Sequence, residues 1–216
     1  MSELSLYHIT RPSSIKENAP ALIMFHGYGS DENDLFSFAS ELPKELFIIS
    51  VRAPYKMQPF GNAWYAINFD ADQRKWSDDD QAKESRDKIS SFIDEAVENY
   101  PIDKNNITLL GFSQGTILCY AVALSYPEKI RNVIALSGYI NLDIIAENFQ
   151  SNDLSKLSFY CSHGSVDQVI PVEWARRTPE ILKKIKVDYV YEEFPVGHGV
   201  APQNFFSLKS WLKNKI

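Results

Sequence analysis

The chain has 216 residues, of which 44% are hydrophobic and 23% are charged, and its formal net charge is −6 at pH 7. This composition is typical of a globular chain with a sizeable core, and we expect a single domain over residues 1–216. The acidic balance argues against a nucleic acid or an anionic membrane surface as partner.

The N-terminus and the cysteines indicate the compartment. The first residues contain no basic start and no long apolar core, so they are not typical of a secretory signal. The longest apolar run is too short to span a bilayer, and we expect no stable membrane insertion. Cys119 and Cys161 lie in apolar runs, which is typical of buried free thiols. We therefore expect a cytoplasmic protein, and the sequence leaves both a monomer and a homodimer open.

Strand and helix patterns alternate along the chain. Several predicted strands are continuous apolar runs, typical of strands covered on both faces. The predicted strands are 4–10, 21–26, 46–51, 107–112, 132–136, 157–163 and 187–193. The predicted helices are 31–42, one that a capping box at Ser77 begins and Pro101 ends, 114–125, 171–185 and 201–213. This order predicts an α/β fold, a mostly parallel seven-stranded sheet flanked by helices, with no separate lid domain and with sites at the carboxyl ends of the strands.

The stretch 53–76 is irregular and rich in aromatic residues. A long loop of this kind in a compact domain usually has a function. The alternative is an Ω-loop whose aromatic side chains have only a packing role.

The five residues from Gly111 to Gly115 form a G-x-S-x-G sequence between a β-type run and a helix-type run. A strand that turns sharply into a helix exposes the hydroxyl of Ser113, and glycines are needed two residues to either side because side chains there would collide. The N–H groups that follow point from a helix N-terminus, where an oxyanion is stabilised. The alternative is a phosphate-binding type of turn with an ordinary N-cap serine.

A nucleophilic serine needs a base, and the base needs an acid to orient it. His198 lies in a loop between the last strand and the last helix, where the sheet presents it to Ser113. His163 ends a strand, and we interpret it as structural. We predict that Asp167 is the acid that holds His198 Nδ1–H. Asp153 and Asp188 remain weaker candidates for the acid.

Near the N-terminus, His26-Gly27-Tyr28-Gly29 ends the second predicted strand. This is the H-G-x-G arrangement whose backbone N–H completes an oxyanion hole, so we expect the amides of Tyr28 and Gln114 to act together. His26 is expected to satisfy backbone groups of the loop. No Walker lysine follows the glycines, which argues against phosphate binding.

With these motifs placed, the chain resembles the phospholipase/carboxylesterase family of serine hydrolases, the group that includes acyl-protein thioesterases and small bacterial carboxylesterases. The resemblance rests on the H-G-x-G loop, the nucleophile turn, the stretch from His163 to Pro171, and Gly197-His198. It implies an α/β-hydrolase fold with Ser113, Asp167 and His198 as the triad. It further implies an acyl groove lined by Trp64, Tyr65, Tyr139, Val169 and Ile170.

The resemblance implies a carboxylesterase that hydrolyses esters or thioesters through an acyl-enzyme. Because no lid domain is available to enclose a bulky acyl chain, we expect a preference for short- to medium-chain acyl groups. A lysophospholipase or an acyl-protein thioesterase is the alternative within the family. Neither a cofactor nor a metal is expected, since no His/Cys/Asp cluster in the sequence has ligand spacing. A peptidase with the same triad and a catalytically silent ligand-binding module on the same fold are the rival interpretations.

Overall fold

A computed structural model describes residues 4–69 and 75–216 of the chain. Its centre is a seven-stranded sheet. The strands of this sheet are β1 (His8–Arg11), β2 (Ala19–Phe25), β3 (Phe47–Val51), β8 (Ile102–Phe112), β9 (Asn132–Leu136), β10 (Ser158–Gly164) and β11 (Asp188–Phe194). Their order is β1-β3-β2-β8-β9-β10-β11, in which β1 pairs antiparallel with β3 and every other pairing is parallel. The seven predicted strands and the mostly parallel sheet are confirmed.

The aromatic stretch 53–76 contains two small hairpins instead of one irregular loop. Their strands are β4 (Tyr55–Lys56), β5 (Asn62–Ala63), β6 (Ile67–Phe69) and β7 (Lys75–Ser77). An isolated bridge between Ser30 and Asn62 attaches the first hairpin to the loop that follows β2. Residues 70–74, which belong to the predicted loop, lie outside the described residues.

Helices cover both faces of the sheet. Those described are α1 (Asn33–Phe36), α2 (Asp79–Asn99), α3 (Gln114–Ser125), α4 (Val172–Ala175), α5 (Arg177–Lys184) and α6 (Pro202–Lys213). Short 3₁₀ turns lie at Ala39–Glu41, Pro127–Lys129, Leu142–Ile144 and Phe149–Ser151.

Three helix predictions need correction. The predicted helix 31–42 is a four-residue helix followed by a 3₁₀ turn, and Leu42 is already extended ahead of Pro43. The predicted helix 171–185 divides into α4 and α5, because Pro179 has no N–H to donate to the carbonyl one turn earlier. The cap of α2 is Asp78 instead of Ser77, since the Asp78 side chain accepts from the N–H of Gln81.

The sheet separates two apolar cores. Along β2, Ile23 and Phe25 pack with α2 and α3, whereas Leu22 and Met24 pack on the opposite face with α1 and α6. Every residue of α3 is buried. A helix enclosed on all sides has a fixed axis, and the turn at its N-terminus is therefore held firmly at the carboxyl edge of the sheet.

Candidate active site

Ser113 lies in the tight turn between β8 and α3, and its backbone has φ 53 and ψ −116. The two flanking glycines are required by the close approach of the backbone. A Cβ on Gly111 would lie 2.6 Å from the nitrogen of Thr116, and one on Gly115 would lie 2.0 Å from the carbonyl oxygen of Phe25. Both distances are far inside van der Waals contact, which is the collision expected from the G-x-S-x-G sequence.

The hydroxyl of Thr116 joins the strands around this turn. Its Oγ1 lies 2.6 Å from the carbonyl oxygen of Gly111 and 2.7 Å from that of Leu136, and it accepts from the N–H of Leu136 at 3.0 Å. One hydroxyl has a single proton, so it donates to one of these carbonyls at a time. These contacts connect β8, the start of α3 and the end of β9.

His198 lies within hydrogen-bond distance of both Ser113 and Asp167. Nε2 of His198 is 2.9 Å from Oγ of Ser113, and its Nδ1 is 2.7 Å from Oδ2 of Asp167. An ionised carboxylate only accepts, so Nδ1 donates to Asp167 and Nε2 is left to accept the serine proton. Ser113 and Asp167 are each only 8% exposed. The geometry can remove the proton from Ser113 and stabilise the imidazolium that forms.

Asp167 is fixed by its own loop. Its Oδ1 accepts from the N–H of Val169 at 2.8 Å and from that of Ile170 at 3.0 Å. Burial by itself would raise the pKa of the Asp167 carboxyl, but the hydrogen bonds from His198 and these two amides outweigh burial and hold the pKa below its usual value. The carboxylate is therefore ionised beside His198.

The structure brings neither of the other two acid candidates to His198. Asp188 accepts from Ser158 Oγ at 2.8 Å and lies 3.0 Å from Lys215 Nζ. Asp153 accepts from the N–H of Ser155 in its own loop. His163 is buried at the end of β10, and its Nε2 lies 2.9 Å from the carbonyl oxygen of Ile170.

The H-G-x-G loop lies against the nucleophile. A Cβ on Gly27 would lie 3.4 Å from Cβ of Ser113, which places the following amide of Tyr28 near the serine. Gln114 is the first residue of α3, so its N–H has no carbonyl one turn earlier in the helix. The side chain of Gln114 bonds to the backbone of the aromatic stretch. It accepts from the backbone N–H of Trp64 and donates to the backbone carbonyl of Tyr65, at 2.8 Å each.

His26 holds this loop through its ring, as predicted. Its Nδ1 lies 2.7 Å from the carbonyl oxygen of Gly27, and its Nε2 accepts from the N–H of Ala53 at 3.1 Å. Burial lowers the pKa of His26, which keeps the ring neutral and able to accept from Ala53.

A cavity of about 540 Å³ opens beside Ser113 and His198. Tyr65, Tyr139, Val169 and Ile170 line it, together with Tyr28 and Gln114. Trp64 does not, and its predicted place in the groove wall is wrong. Trp64 is 0% exposed, its ring packs edge-on to Phe25, and its indole N–H donates to the carbonyl of His26.

Several cavity residues were missed by the sequence reasoning. They are Ile67, Asp79, Ile117, Asn141, Asp143 and Trp174. None belongs to a motif, and they come from five separate parts of the chain. The one available signal was position: Asn141 and Asp143 follow β9, whose carboxyl end is at the same sheet edge as Ser113.

Among the described helices, none combines the length and the apolar character needed to cross a bilayer.

Comparisons with known proteins identify the family of the chain. The family model described as Phospholipase/Carboxylesterase matches residues 9–216. Acyl-protein thioesterase 1 of Emericella nidulans is 29% identical over 228 residues, covering 94% of this chain and 93% of that protein. A rice (Oryza sativa subsp. japonica) protein named a probable carboxylesterase is 28% identical over 140 residues, which is 64% of this chain, and the match spans 52% of the rice protein.

The fold has counterparts among solved structures. The crystal structure of a Bacillus cereus carboxylesterase superposes with a TM-score of 0.85 at 18% identity, covering 98% of this chain and 95% of that chain. The α/β-hydrolase fold is thereby confirmed. With the family model spanning nearly the whole sequence, the chain belongs to the phospholipase/carboxylesterase family of serine ester hydrolases, as its four motifs predict.

Proposed function

We propose that this protein hydrolyses carboxylic esters of short to medium acyl chain length through Ser113, His198 and Asp167. The observation that supports this most directly is the pair of hydrogen bonds, 2.9 Å and 2.7 Å long, that join the three side chains in the order serine, histidine, aspartate. That order is the one general-base activation of a serine needs.

The reaction runs in two halves. His198 Nε2 takes the proton from Ser113 as Oγ attacks the acyl carbonyl, and the same proton then passes to the leaving alkoxide. Water, deprotonated by His198, attacks the resulting acyl-enzyme and releases the acid. In both halves the oxyanion is held by the N–H groups of Tyr28 and Gln114. Removing one oxyanion-hole donor from a serine hydrolase typically costs about 2.7–4 kcal/mol of transition-state stabilisation.

Thioesters and lysophospholipids are the second candidate substrates. The relative from Emericella nidulans bears the name acyl-protein thioesterase 1, and the same acyl-enzyme chemistry serves a thioester. The catalytic groups do not separate these substrates, because an oxygen ester and a thioester present the same carbonyl to Ser113. Location in the cytoplasm stays a prediction, and so does an oligomeric state that is either a monomer or a homodimer.

Labelling with a fluorophosphonate and hydrolysis of p-nitrophenyl butyrate test the proposal together. The wild type should be labelled rapidly and Ser113→Ala should not be labelled. Ser113→Ala and His198→Ala should each lower kcat by on the order of 10⁶, and the double variant little further, because the residues act as one unit. If the folded wild-type protein were not labelled and hydrolysed no ester, thioester or lysophospholipid, the proposal would fail. The chain would then be a catalytically silent ligand-binding module.

A further inference from the structure

The cavity beside Ser113 has an acidic end. Asp79 at the start of α2 and Asp143 after β9 both line it, and the side chain of Asn141 connects them. Nδ2 of Asn141 lies 3.4 Å from Oδ1 of Asp79, and its Oδ1 accepts from the N–H of Asp143 at 3.1 Å. Among the described residues, the cavity lining contains no lysine or arginine. Two carboxylates therefore share one wall of a substrate cavity without a basic partner in that wall.

This arrangement is electrostatically strained. Burial raises the pKa of the Asp79 carboxyl, and the negative charge of Asp143 raises it further. Together they outweigh the hydrogen bond from Asn141 and the charge of Lys83, which act in the opposite direction. The partial positive charge at the N-terminus of α2 stabilises an acid at Asp79. It does not explain the acid at Asp143, which lies on a different element. Arg177 borders an adjacent depression that Asp143 also lines, but Arg177 does not line the cavity beside Ser113. A positive charge in the cavity would relieve the strain.

The walls next to these acids are aromatic. The rings of Tyr139 and Trp174 form an edge-to-face corner with centroids 5.2 Å apart. Tyr65 is 3% exposed and its side chain lines the cavity. Its hydroxyl is not enclosed by other groups, so it can hydrogen-bond to a ligand in the cavity. Aromatic faces attract cations, and those of tyrosine and tryptophan are well suited to it.

The chemistry favours an organic cation over a metal ion. No group of three or more histidine, cysteine or acidic side chains able to hold a metal lies together among the described residues. Calcium takes six to eight oxygen ligands, so two carboxylates with aromatic walls are a poor match for it. Acidic and aromatic side chains together are the groups that bind ammonium ions, including quaternary ones.

We propose that the cavity selects esters that bear a quaternary or protonated ammonium group, which Asp79 and Asp143 hold against Tyr139 and Trp174. The proposal rests on the esterase function proposed above. It makes this end of the cavity the part that sets substrate preference, separate from the groups that act on the scissile carbonyl.

Matched pairs of substrates test it. Butyrylcholine is compared with 3,3-dimethylbutyl butyrate, which has the same shape and no charge. The p-nitrophenyl ester of 4-(trimethylammonio)butanoic acid is compared with that of 5,5-dimethylhexanoic acid, so that both sides of the ester bond are probed. We expect the wild type to favour the cationic member of at least one pair by roughly tenfold in kcat/KM.

The substitutions Asp79→Asn and Asp143→Asn should each lower the ratio of cationic to neutral kcat/KM, and together they should bring it close to one. Asp80→Asn is the matched control: it removes one acid from the same helix at an exposed position outside the cavity, and it should preserve the ratio. Equal kcat/KM within both pairs, with the neutral esters hydrolysed, would overturn the ammonium subsite alone. Absence of hydrolysis of all four substrates would overturn the esterase function with it.

Discussion

At the residue scale, both oxygens of Asp167 are in use. Oδ1 accepts the two loop amides, while Oδ2 accepts from His198 and lies 3.3 Å from Nε2 of His163. Two ring nitrogens and two amides thus surround one carboxylate, which fixes its orientation as well as its charge. A group whose pKa is lowered by folding contributes stability above its unfolded pKa and loses that contribution as the pH falls through its folded pKa.

We therefore expect Asp167→Asn to be less stable than the wild type near neutral pH. The difference in the free energy of unfolding between the two proteins should shrink as the pH falls below the ordinary value of 3.8 for this carboxyl. Urea unfolding of both proteins between about pH 2 and pH 7 measures it. The kcat of Asp167→Asn should also fall by orders of magnitude, because an amide facing Nδ1 favours the wrong tautomer of His198. A stability difference independent of pH would show that the charge of Asp167 does not matter to folding.

At the element scale, the nucleophile turn depends on its attachment to the neighbouring strand. Thr116→Val keeps the shape of the side chain but removes the hydroxyl, leaving the carbonyl of Gly111 or Leu136 and the N–H of Leu136 without this partner. We expect a loss of about 1–3 kcal/mol in the free energy of unfolding, measured by denaturant titration. Thr116→Ser retains the hydroxyl and should lose less; equal losses in both variants would assign the effect to packing.

The histidine loop depends on Gly164 at the end of β10. A Cβ on Gly164 would lie 2.2 Å from the carbonyl oxygen of Gly197 and 2.3 Å from that of Val196, so Gly164→Ala should displace His198. A displacement of about 1 Å can cost roughly 10²-fold in rate, and we expect a fall in kcat of that order. Gly199→Ala is the matched control, since its Cβ would meet nothing within 4 Å. Similar kcat values for the two variants would show that the close approach is not needed for catalysis.

The elements were predictable where one periodic signal dominated. The strands stand out because their apolar runs are buried on both faces, as in β2 and β9. The predicted helix 171–185 is interrupted although its pattern continues, and Pro179 was the available warning. In the predicted helix 31–42, α1 begins only after Glu32, whose side chain pairs with Arg52 and whose carbonyl accepts from Ser50. Such long-range contacts leave no trace in the local sequence.

At the scale of the whole molecule, the sheet order assembles the site. The loops after β2, β8, β10 and β11 supply Tyr28, Ser113, Asp167 and His198, and these strands share one parallel sheet. Motif residues could be predicted because parallel strands present their carboxyl ends at one edge. The cavity walls could be predicted only in part, because which side chains reach the cavity depends on how deeply each one is buried. Trp64 and Tyr65 are adjacent in sequence, yet only Tyr65 reaches the cavity.

The open cavity leads to a prediction about acyl chain length. Each buried methylene contributes about 0.8 kcal/mol, or roughly fourfold in kcat/KM, until the apolar wall ends. The p-nitrophenyl esters should therefore improve from acetate over the first few carbons and then level off or decline. Tyr139→Ala, which removes cavity wall, should lower the hexanoate-to-acetate ratio, whereas Phe60→Ala, at an exposed position outside the cavity, should preserve it. An unchanged ratio in Tyr139→Ala would place the acyl chain elsewhere.

The backbone of Ser113 has a consequence for how such a protein evolves. A residue with a side chain at φ 53 and ψ −116 costs of order 1–3 kcal/mol, and only glycine adopts this conformation freely. Ser113→Gly and Ser113→Ala both lack the nucleophile. We expect the free energy of unfolding of Ser113→Gly, measured by denaturant titration, to be higher than that of Ser113→Ala by about 1 kcal/mol. Selection for stability alone would favour glycine at this position, and the nucleophilic hydroxyl would be lost. A serine at this turn is therefore a trade-off in which stability is given up for activity.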